Sequence, residues 1–451
     1  MDSAAVRSRE RDSLARFGYA LLWWIATPAI VVYLLWRARR QSAYRRGWHE
    51  RFCARYGPRP AGGLVWIHAV SVGETRAAAP LVAALRASHP ELVVLLTHMT
   101  PTGRETAVDL FGDSVLHAWL AYDYSHAVRR FFSHWQPALG IVMETEIWPS
   151  LMAAAERARV PMVLANARLS QRSLARAMKW KALMRPALLR FARVLAQTDG
   201  DATRFARLAG VGSSKAIVRV GNIKFDVEPD ATQRALAVRF REWIDGRDGN
   251  AAKRSVLLAA STREGEEALL LDAFCRWRTE ATHDAAAHRA SDSLLVIVPR
   301  HPQRFDEVAR LVAARGLSLQ RRSESASIAP DTLVWLGDTM GELFAYYAAA
   351  DLAYVGGSLV PLGGQNLIEA CAVGCPVLVG PHTFNFAEAT DDAVAAGAAR
   401  RVADADAWMH TAAELMADDA ARTAMSEAGS RFAAAHRGAT ARTVAIVDAL
   451  L

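Results

Sequence analysis

The sequence predicts an α/β protein of two parallel-sheet domains behind an N-terminal apolar helix. Three features carry this. Short β-type apolar runs alternate with alanine-rich helical stretches in two series; a polar, charge-rich stretch separates the series; and the segment 17–36 carries no charge. With 451 residues, 52% hydrophobic and 22% charged, the chain has the length and composition for two folded cores, which excludes a disordered protein.

After a basic tail (1–16), the apolar segment FGYALLWWIATPAIVVYLLW (17–36) comes first. At about 1.5 Å per residue it reaches roughly 30 Å, the thickness of a bilayer core. Tyr19, Trp23, Trp24, Tyr33 and Trp36 supply interfacial aromatics, and the segment ends in RARR rather than in the small residues of a signal-peptide cleavage site. It therefore reads as an uncleaved transmembrane anchor. Arg7, Arg9, Arg11 and Arg16 precede it, and Arg37, Arg39, Arg40, Arg45 and Arg46 follow. The larger basic excess after the segment places the main body in the cytoplasm. Pro28 and the basic flanks leave a shallow, one-leaflet insertion as the alternative.

Strand-like runs at 64–70, 91–99, 137–145, 160–167, 193–198 and 217–222 define a first domain over 37–225. Their continuous apolar character marks strands buried on both faces of a parallel sheet. The polar stretch 226–254 reads as a linker. The rhythm restarts at 255–261, 293–300, 332–337, 351–357 and 375–381, and a helical tail begins near Asp404, giving a second domain over 255–451. Two such domains facing across a cleft bind ligands at the carboxyl ends of their strands. The net charge of +8 favours a phosphate-rich partner or a membrane surface. The four cysteines, Cys53, Cys275, Cys371 and Cys375, have neither zinc-site nor disulfide-framework spacing.

Chemistry-bearing residues fall where strands end. In HAVSVGETRAAAPLV (68–82), Gly73 is a single glycine where a dinucleotide fingerprint has three, and Glu74 stands at the helix start. Such an acid either takes a proton from a hydroxyl or stabilises the helix dipole. Glu144 and Glu146 follow a strand in METEIWPSL and share a face; they line a site or are buried structural acids. Lys224, in GNIKFD, is an anion ligand or a solvated lysine. In 354–381, glycines at 356, 357, 363 and 364 precede a helix beginning near Asn366 and bearing Glu369, an arrangement suited to phosphate and ribose. Pro299-Arg300 and the Met340-Gly341-Glu342 segment place polar groups at the same sheet edge. Asp199/Asp201 and Asp404/Asp406 match a DxD metal pattern, but Asp199 and Asp201 open a helix, where Asp is a cap, and the second pair lies in the helical tail.

HAVSVGET, METEIWPSL, ANARLS, GNIKFD, STREGEE, VPRHPQRF, GDTMGEL and GGSLVPLGGQNLIEA, in this order behind an apolar N-terminal helix, resemble the 3-deoxy-D-manno-octulosonic acid (Kdo) transferases over about residues 17–445. The resemblance implies a GT-B fold of two Rossmann-like αβα domains and a bacterial inner-membrane enzyme, with its catalytic domains on the cytoplasmic face. It further implies CMP-Kdo as donor, a lipid A precursor (lipid IVA) as acceptor, no cofactor or metal in the transfer step, and no nucleic-acid partner. By the same resemblance Glu74 is the proton acceptor, and Glu144 and Lys224 stabilise the transition state. Pro299, Arg300, Met340, Gly341, Glu342, Asn366, Leu367, Ile368 and Glu369 hold CMP. One base and no second carboxylate nucleophile imply a single displacement with inversion. Arg76, and the arginines of 37–46, are candidates for the acceptor's phosphates. The rival readings are a nucleotide-sugar 2-epimerase of the same fold, which needs no lipid anchor, and a membrane-tethered nucleotide-sugar binding protein, which needs no Glu74.

Overall fold

In the computed structural model, residues 3–53, 55–210, 216–226, 230–246, 253–281, 293–324 and 327–451 are described. Of the expected tail and linker, residues 1–2, 227–229 and 247–252 lie outside these, as does the side chain of Cys53. The chain divides into two compact units, Met1–Asp226 with Arg437–Leu451, and Val227–His436.

The first unit holds β1 (Leu64–His68), β2 (Val93–His98), β3 (Leu116–Trp119), β4 (Leu139–Met143), β5 (Met162–Ala167), β6 (Arg193–Ala196) and β7 (Ile217–Arg219). They form one parallel sheet in the order β3-β2-β1-β4-β5-β6-β7. Its helices are α1 (Ser3–Arg40), α2 (Trp48–Cys53), α3 (Val72–Ser88), α4 (Pro101–Phe111), α5 (Ser125–Trp135), α6 (Pro149–Ala158), α7 (Gln171–Lys179), α8 (Lys181–Leu189) and α9 (Asp199–Ala209). Side chains alternate across a strand, so β1 serves two cores. Leu64 and Trp66 pack with Phe131 and Phe132, whereas Val65 and Ile67 pack with Leu81 and Leu85.

The second unit opens with α10 (Ala231–Asp245) and continues with β8 (Val256–Thr262), α11 (Glu266–Ala281), β9 (Leu294–Pro299), β10 (Leu319–Arg321), β11 (Val334–Leu336), β12 (Leu352–Val355), β13 (Val377–Val379) and β14 (Ala399–Arg401). Its parallel order is β10-β11-β9-β8-β12-β13-β14. Every expected apolar run contains a strand. β3, β10 and β14, absent from the sequence reading, are all sheet edges. An edge strand is short and partly exposed, so it lacks the continuous apolar run that announces a central one.

Two boundaries differ from the sequence reading. The expected linker is largely α10, which belongs to the second unit and buries Phe240 against Trp335 and Tyr346, with the buried Trp243 beside Phe240. The polar residues that suggested a linker are its exposed face. The end of the chain, read as part of the second domain, returns to the first unit, where the helix Ala439–Asp448 packs on α3. Asp226 secures that return by accepting the N–H of Gly438 at 2.6 Å and the N–H of Thr440.

The apolar segment is one part of a continuous helix, α1, with Pro28 inside it. One stripe of α1 faces the unit: Leu34 and Ala38 are buried with Tyr122 and Tyr124, and Trp23 and Ile30 pack against the same cluster.

Because Asp226 caps a helix start, Asp226→Ala is expected to cost about 1 kcal/mol. It should also make residues 439–448 the first site of limited proteolysis. Thermal denaturation and mapped digestion of the full chain test this; digestion unchanged from the parent would sink it.

Candidate active site

In the first unit the candidate residues gather at the carboxyl edge of adjacent strands. β4 lies beside β1, with His68 in register with Val142, and β5 lies beside β4, with Met143 opposite Ala165. The loops leaving these strands are therefore neighbours. Ser71 caps α3, accepting the Glu74 N–H. Glu74 in turn reaches back over the helix start. Its carboxylate accepts the Val70 N–H at 2.9 Å and the Ser71 hydroxyl at 2.9 Å. These two hydrogen bonds at the helix terminus fix where the Glu74 carboxylate points. Burial pushes the Glu74 carboxyl up to about 7, the Val70 N–H opposes the rise, and Glu144 and Glu146 add to it. A carboxylate has about four acceptor positions, so these two hydrogen bonds leave room for a substrate proton.

Glu144, directly after β4, has φ of 57°, sparsely populated for a residue with a side chain. Such strain costs on the order of 1–3 kcal/mol and persists where surrounding contacts enforce it. Here the Glu144 N–H donates to the Ala165 carbonyl at 2.9 Å, and the carboxylate meets Lys224 Nζ at 2.8 Å. Lys224 lies on a short 3-10 turn, Ile223–Phe225, pinned by two asparagines. Asn222 Oδ1 accepts the Lys224 N–H at 3.0 Å, and the buried Asn166 Oδ1 accepts the Ile223 N–H at 3.1 Å. Glu146 instead accepts the Trp148 indole N–H at 2.6 Å, and burial pushes its carboxyl up. The partner of Glu144 is thus Lys224, itself one of the candidates. The nearby His68 and His98 are held neutral, each pushed by burial down to about 3, so neither serves as a base near neutrality. Arg76 is exposed and stands two positions beyond Glu74, on a different face of α3.

In the second unit β9, β8 and β12 are consecutive in the sheet, and the Arg300 N–H donates to the Thr262 carbonyl at 3.0 Å. The buried Tyr347 lies within electrostatic range of two candidate segments. Burial drives its hydroxyl upward, and the charges of both Glu369 and Arg300 act on it. Asn366 Oδ1 accepts the Ile368 N–H at 3.0 Å, and its amide donates to Glu369 at 3.2 Å. The helix begins at Ile368, two residues beyond Asn366. Leu367 and Ile368 have buried side chains, so only their main chain is available to a ligand. Gly341 has φ of +83°, and its carbonyl accepts the Gln233 amide at 2.7 Å. Glu342 is engaged by Arg322 at 3.0 Å and by the Thr339 hydroxyl, while Met340 is 56% exposed.

One residue with no role in the sequence reading organises this edge. Glu266, fully buried at the start of α11, accepts the N–H groups of Gly357, Ser358 and Leu359 at 2.6, 2.9 and 3.0 Å. It also accepts the Tyr354 hydroxyl at 2.6 Å and the Arg263 N–H at 2.9 Å. One carboxylate thereby holds the glycine loop after β12. The approach is close: a Cβ on Gly356 would fall 2.5 Å from the Ser261 carbonyl oxygen. Glu267, its neighbour, takes both oxygens to Arg304 at 2.7 and 2.8 Å. In sequence, GEE at a helix start is indistinguishable from ordinary N-terminal acids; only the fold shows that both are fully buried.

The DxD pairs are otherwise engaged. Asp201 accepts the Leu169 N–H at 2.8 Å and pairs with Arg204 at 2.9 Å; Asp404 caps the helix Ala405–Ala417, and Asp406 pairs with Arg276. Among the described residues no group of three or more His, Cys, Asp or Glu is placed to hold a metal ion.

Residues 46–227 match the family model described as 3-deoxy-D-manno-octulosonic-acid transferase (kdotransferase). The chain is 46% identical over 448 residues to the 3-deoxy-D-manno-octulosonic acid transferase of Bordetella pertussis, covering 96% of this chain and 97% of that one. It is 36% identical over 445 residues to the protein of the same name from Haemophilus influenzae, covering 97% and 99%. The crystal structure of UDP-GlcNAc 2-epimerase from Neisseria meningitidis bound to UDP-GlcNAc matches with a TM-score of 0.55 at 15% identity, over 85% of this chain and 99% of that one. That likeness is one of fold.

Removing Glu266 strands several buried donors, each worth about 1–3 kcal/mol when left unsatisfied. Glu266→Ala is therefore expected to lower stability by at least about 2 kcal/mol in chemical denaturation. Glu264→Ala, exposed in the same turn, should leave it unchanged. Equal behaviour of the two variants would remove Glu266 from this role.

Proposed function

Because this chain belongs to the 3-deoxy-D-manno-octulosonic acid transferase family, and is thus a Kdo-transferring glycosyltransferase, we propose that it moves Kdo from CMP-Kdo to a hydroxyl of the lipid A precursor, with inversion, and that Glu74 is its base. The observation that carries this is the Glu74 carboxyl. It is oriented by its own helix terminus, is pushed up to about 7 by burial, and stands within electrostatic reach of the Glu144–Lys224 pair. A sugar hydroxyl is a poor nucleophile; a carboxylate with such a pKa can take its proton as attack proceeds.

In the proposed step the acceptor oxygen forms a bond to the anomeric carbon of Kdo while the bond from that carbon to the phosphate oxygen breaks. CMP leaves with the bonding electrons, and the hydroxyl proton passes to Glu74. Lys224, its charge held in place by Glu144 at 2.8 Å, answers the negative charge that develops. CMP binds in the second unit, with Arg300 toward phosphate, Glu369 toward ribose hydroxyls, Met340–Glu342 beside them, and main-chain groups of 366–368 completing the set. Glu342 and Asn366 act through the loops they hold, since their side chains already have partners. The chain attaches to the inner membrane through α1, with both units on the cytoplasmic side. Arg76 and the basic segment 37–46 meet the acceptor's phosphates.

Purified full-length protein given CMP-Kdo and lipid A precursor should release CMP only when acceptor is present. Glu74→Ala and Glu74→Gln should each lower kcat by about 10²–10⁴-fold. Acceptor-independent CMP release, or none, would overturn the transferase step; near-full rates in both variants would overturn Glu74 as base. The pH profile carries the sign. The active, deprotonated form of Glu74 is populated above its pKa, so kcat/KM should climb as pH rises through about 7. That limb should vanish in Glu74→Gln. Lys224→Ala should lower kcat by about 10²-fold or more with a smaller change in KM.

A further inference from the structure

We propose that α1 does not cross the bilayer but lies in one leaflet as part of the first unit, and that the groove between α1 and α7–α8 takes an acyl chain of an anionic membrane phospholipid. The first support is one-sided packing. Thr27 Oγ1 meets the Tyr124 hydroxyl at 2.5 Å, the Trp23 ring lies 5.3 Å from that of Tyr124 and 6.0 Å from that of Tyr122, and Trp24 stacks on His126 at 5.6 Å. Leu34 and Ala38 are buried in the same cluster. Below it, the buried Asp123 accepts the N–H groups of Ser150 and Leu151 at the start of α6. A crossing α1 would carry these loops and their polar groups into hydrocarbon, where unsatisfied backbone is not tolerated. The other faces of α1, with Leu21, Leu22, Ile25, Val32 and Leu35, are exposed and apolar. A helix that packs one stripe on its own unit and leaves apolar residues on its other faces can lie with those faces among acyl chains.

The second support is the groove. It measures about 880 Å³ and is lined by Leu21, Leu22 and Ile25 of α1 facing Ala177, Leu183 and the exposed Trp180. The cavity is large and apolar enough for a lipid chain. The third is charge. The stretch 171–189 contains no acidic residue. Arg172, Arg176, Lys179 and Lys181 are exposed there, and no ion pair engages them among the described residues. Arg176 and Lys179 stand on the groove itself. Cations at the rim of an apolar slot match a phosphodiester headgroup above its chain. The exposed face of α1, Trp180 and this rim thus form one lipid-facing surface.

The test uses full-length protein in vesicles of phosphatidylethanolamine and phosphatidylglycerol, doped with phosphatidylglycerol bearing a diazirine in its acyl chain. Irradiation and peptide mapping should find adducts on 14–25 and on 173–184. Ala177→Trp, which fills the groove, should reduce the second set several-fold while the first persists. In cells, a cleavable epitope fused ahead of Met1 should be digested in inverted membrane vesicles but not in spheroplasts. Adducts around the whole circumference of 17–36 with none on 173–184, or digestion in spheroplasts, would overturn the proposal. Neither readout depends on sugar transfer, so its failure leaves the catalytic reading intact, and the reverse.

Discussion

Main-chain N–H groups that emerge from a doubly buried parallel sheet have no water to meet, and in this protein carboxylates from elsewhere in the chain accept them. Glu266 holds Gly357, Ser358 and Leu359; Asp123 holds Ser150 and Leu151; Asp226 holds Gly438 and Thr440; Asp351 holds Val256. Helix starts concentrate unpaired donors and positive potential, which is why an acid stabilises them. Each such contact joins segments far apart in sequence. The glycine loop after β12 is fixed by such an acid, Glu266, rather than by apolar packing alone.

Glu74 belongs to the same class and differs in degree. It accepts two donors, Val70 N–H and the Ser71 hydroxyl, against five for Glu266, and its neighbours Glu144 and Glu146 carry like charge. Fewer donors and more like charge leave burial to dominate, so its carboxyl rises to about 7. The same environment would be a fault in a purely structural acid, and it suits a base working near neutrality. Glu144 escapes isolation because Lys224 lies 2.8 Å away, a pair that also fixes the lysine.

Strain falls beside these groups. Glu144, Asn166 and Ser261 all take positive φ near strand ends, and the register of the sheet shifts beside Asn166 and Ser261. A bulge re-aims the side chain next to it. Asn166 turns its carbonyl oxygen to the N–H of Ile223 beside Lys224, and the bend at Ser261 leads into the turn from which Glu266 reaches the glycine loop. Local distortion is thus the means by which regular strands present irregular polar groups.

The central strands themselves, the division into two α/β cores, the apolar N-terminal segment and the family motifs are all written in the sequence, because each is a pattern of neighbouring residues, whereas the order of the strands in each sheet is not. Periodicity also marked Glu74, Glu144 and Lys224 as candidates by their places at strand ends. It could not choose between roles for them. Lys224 meets Glu144 across 80 residues, and Glu266 meets the loop after β12 across more than 90. Such pairings exist only once the sheets have assembled. The edge strands β3, β10 and β14 needed the sheet to define them, and the final helix needed Asp226 to bring it back to the first unit. For α1, composition marked a helix long and apolar enough to cross a membrane, whereas the packing of one stripe against Tyr122 and Tyr124 decided which faces stay exposed. Hydrophobicity is a property of a segment; burial, pairing and orientation are properties of what the fold sets beside it.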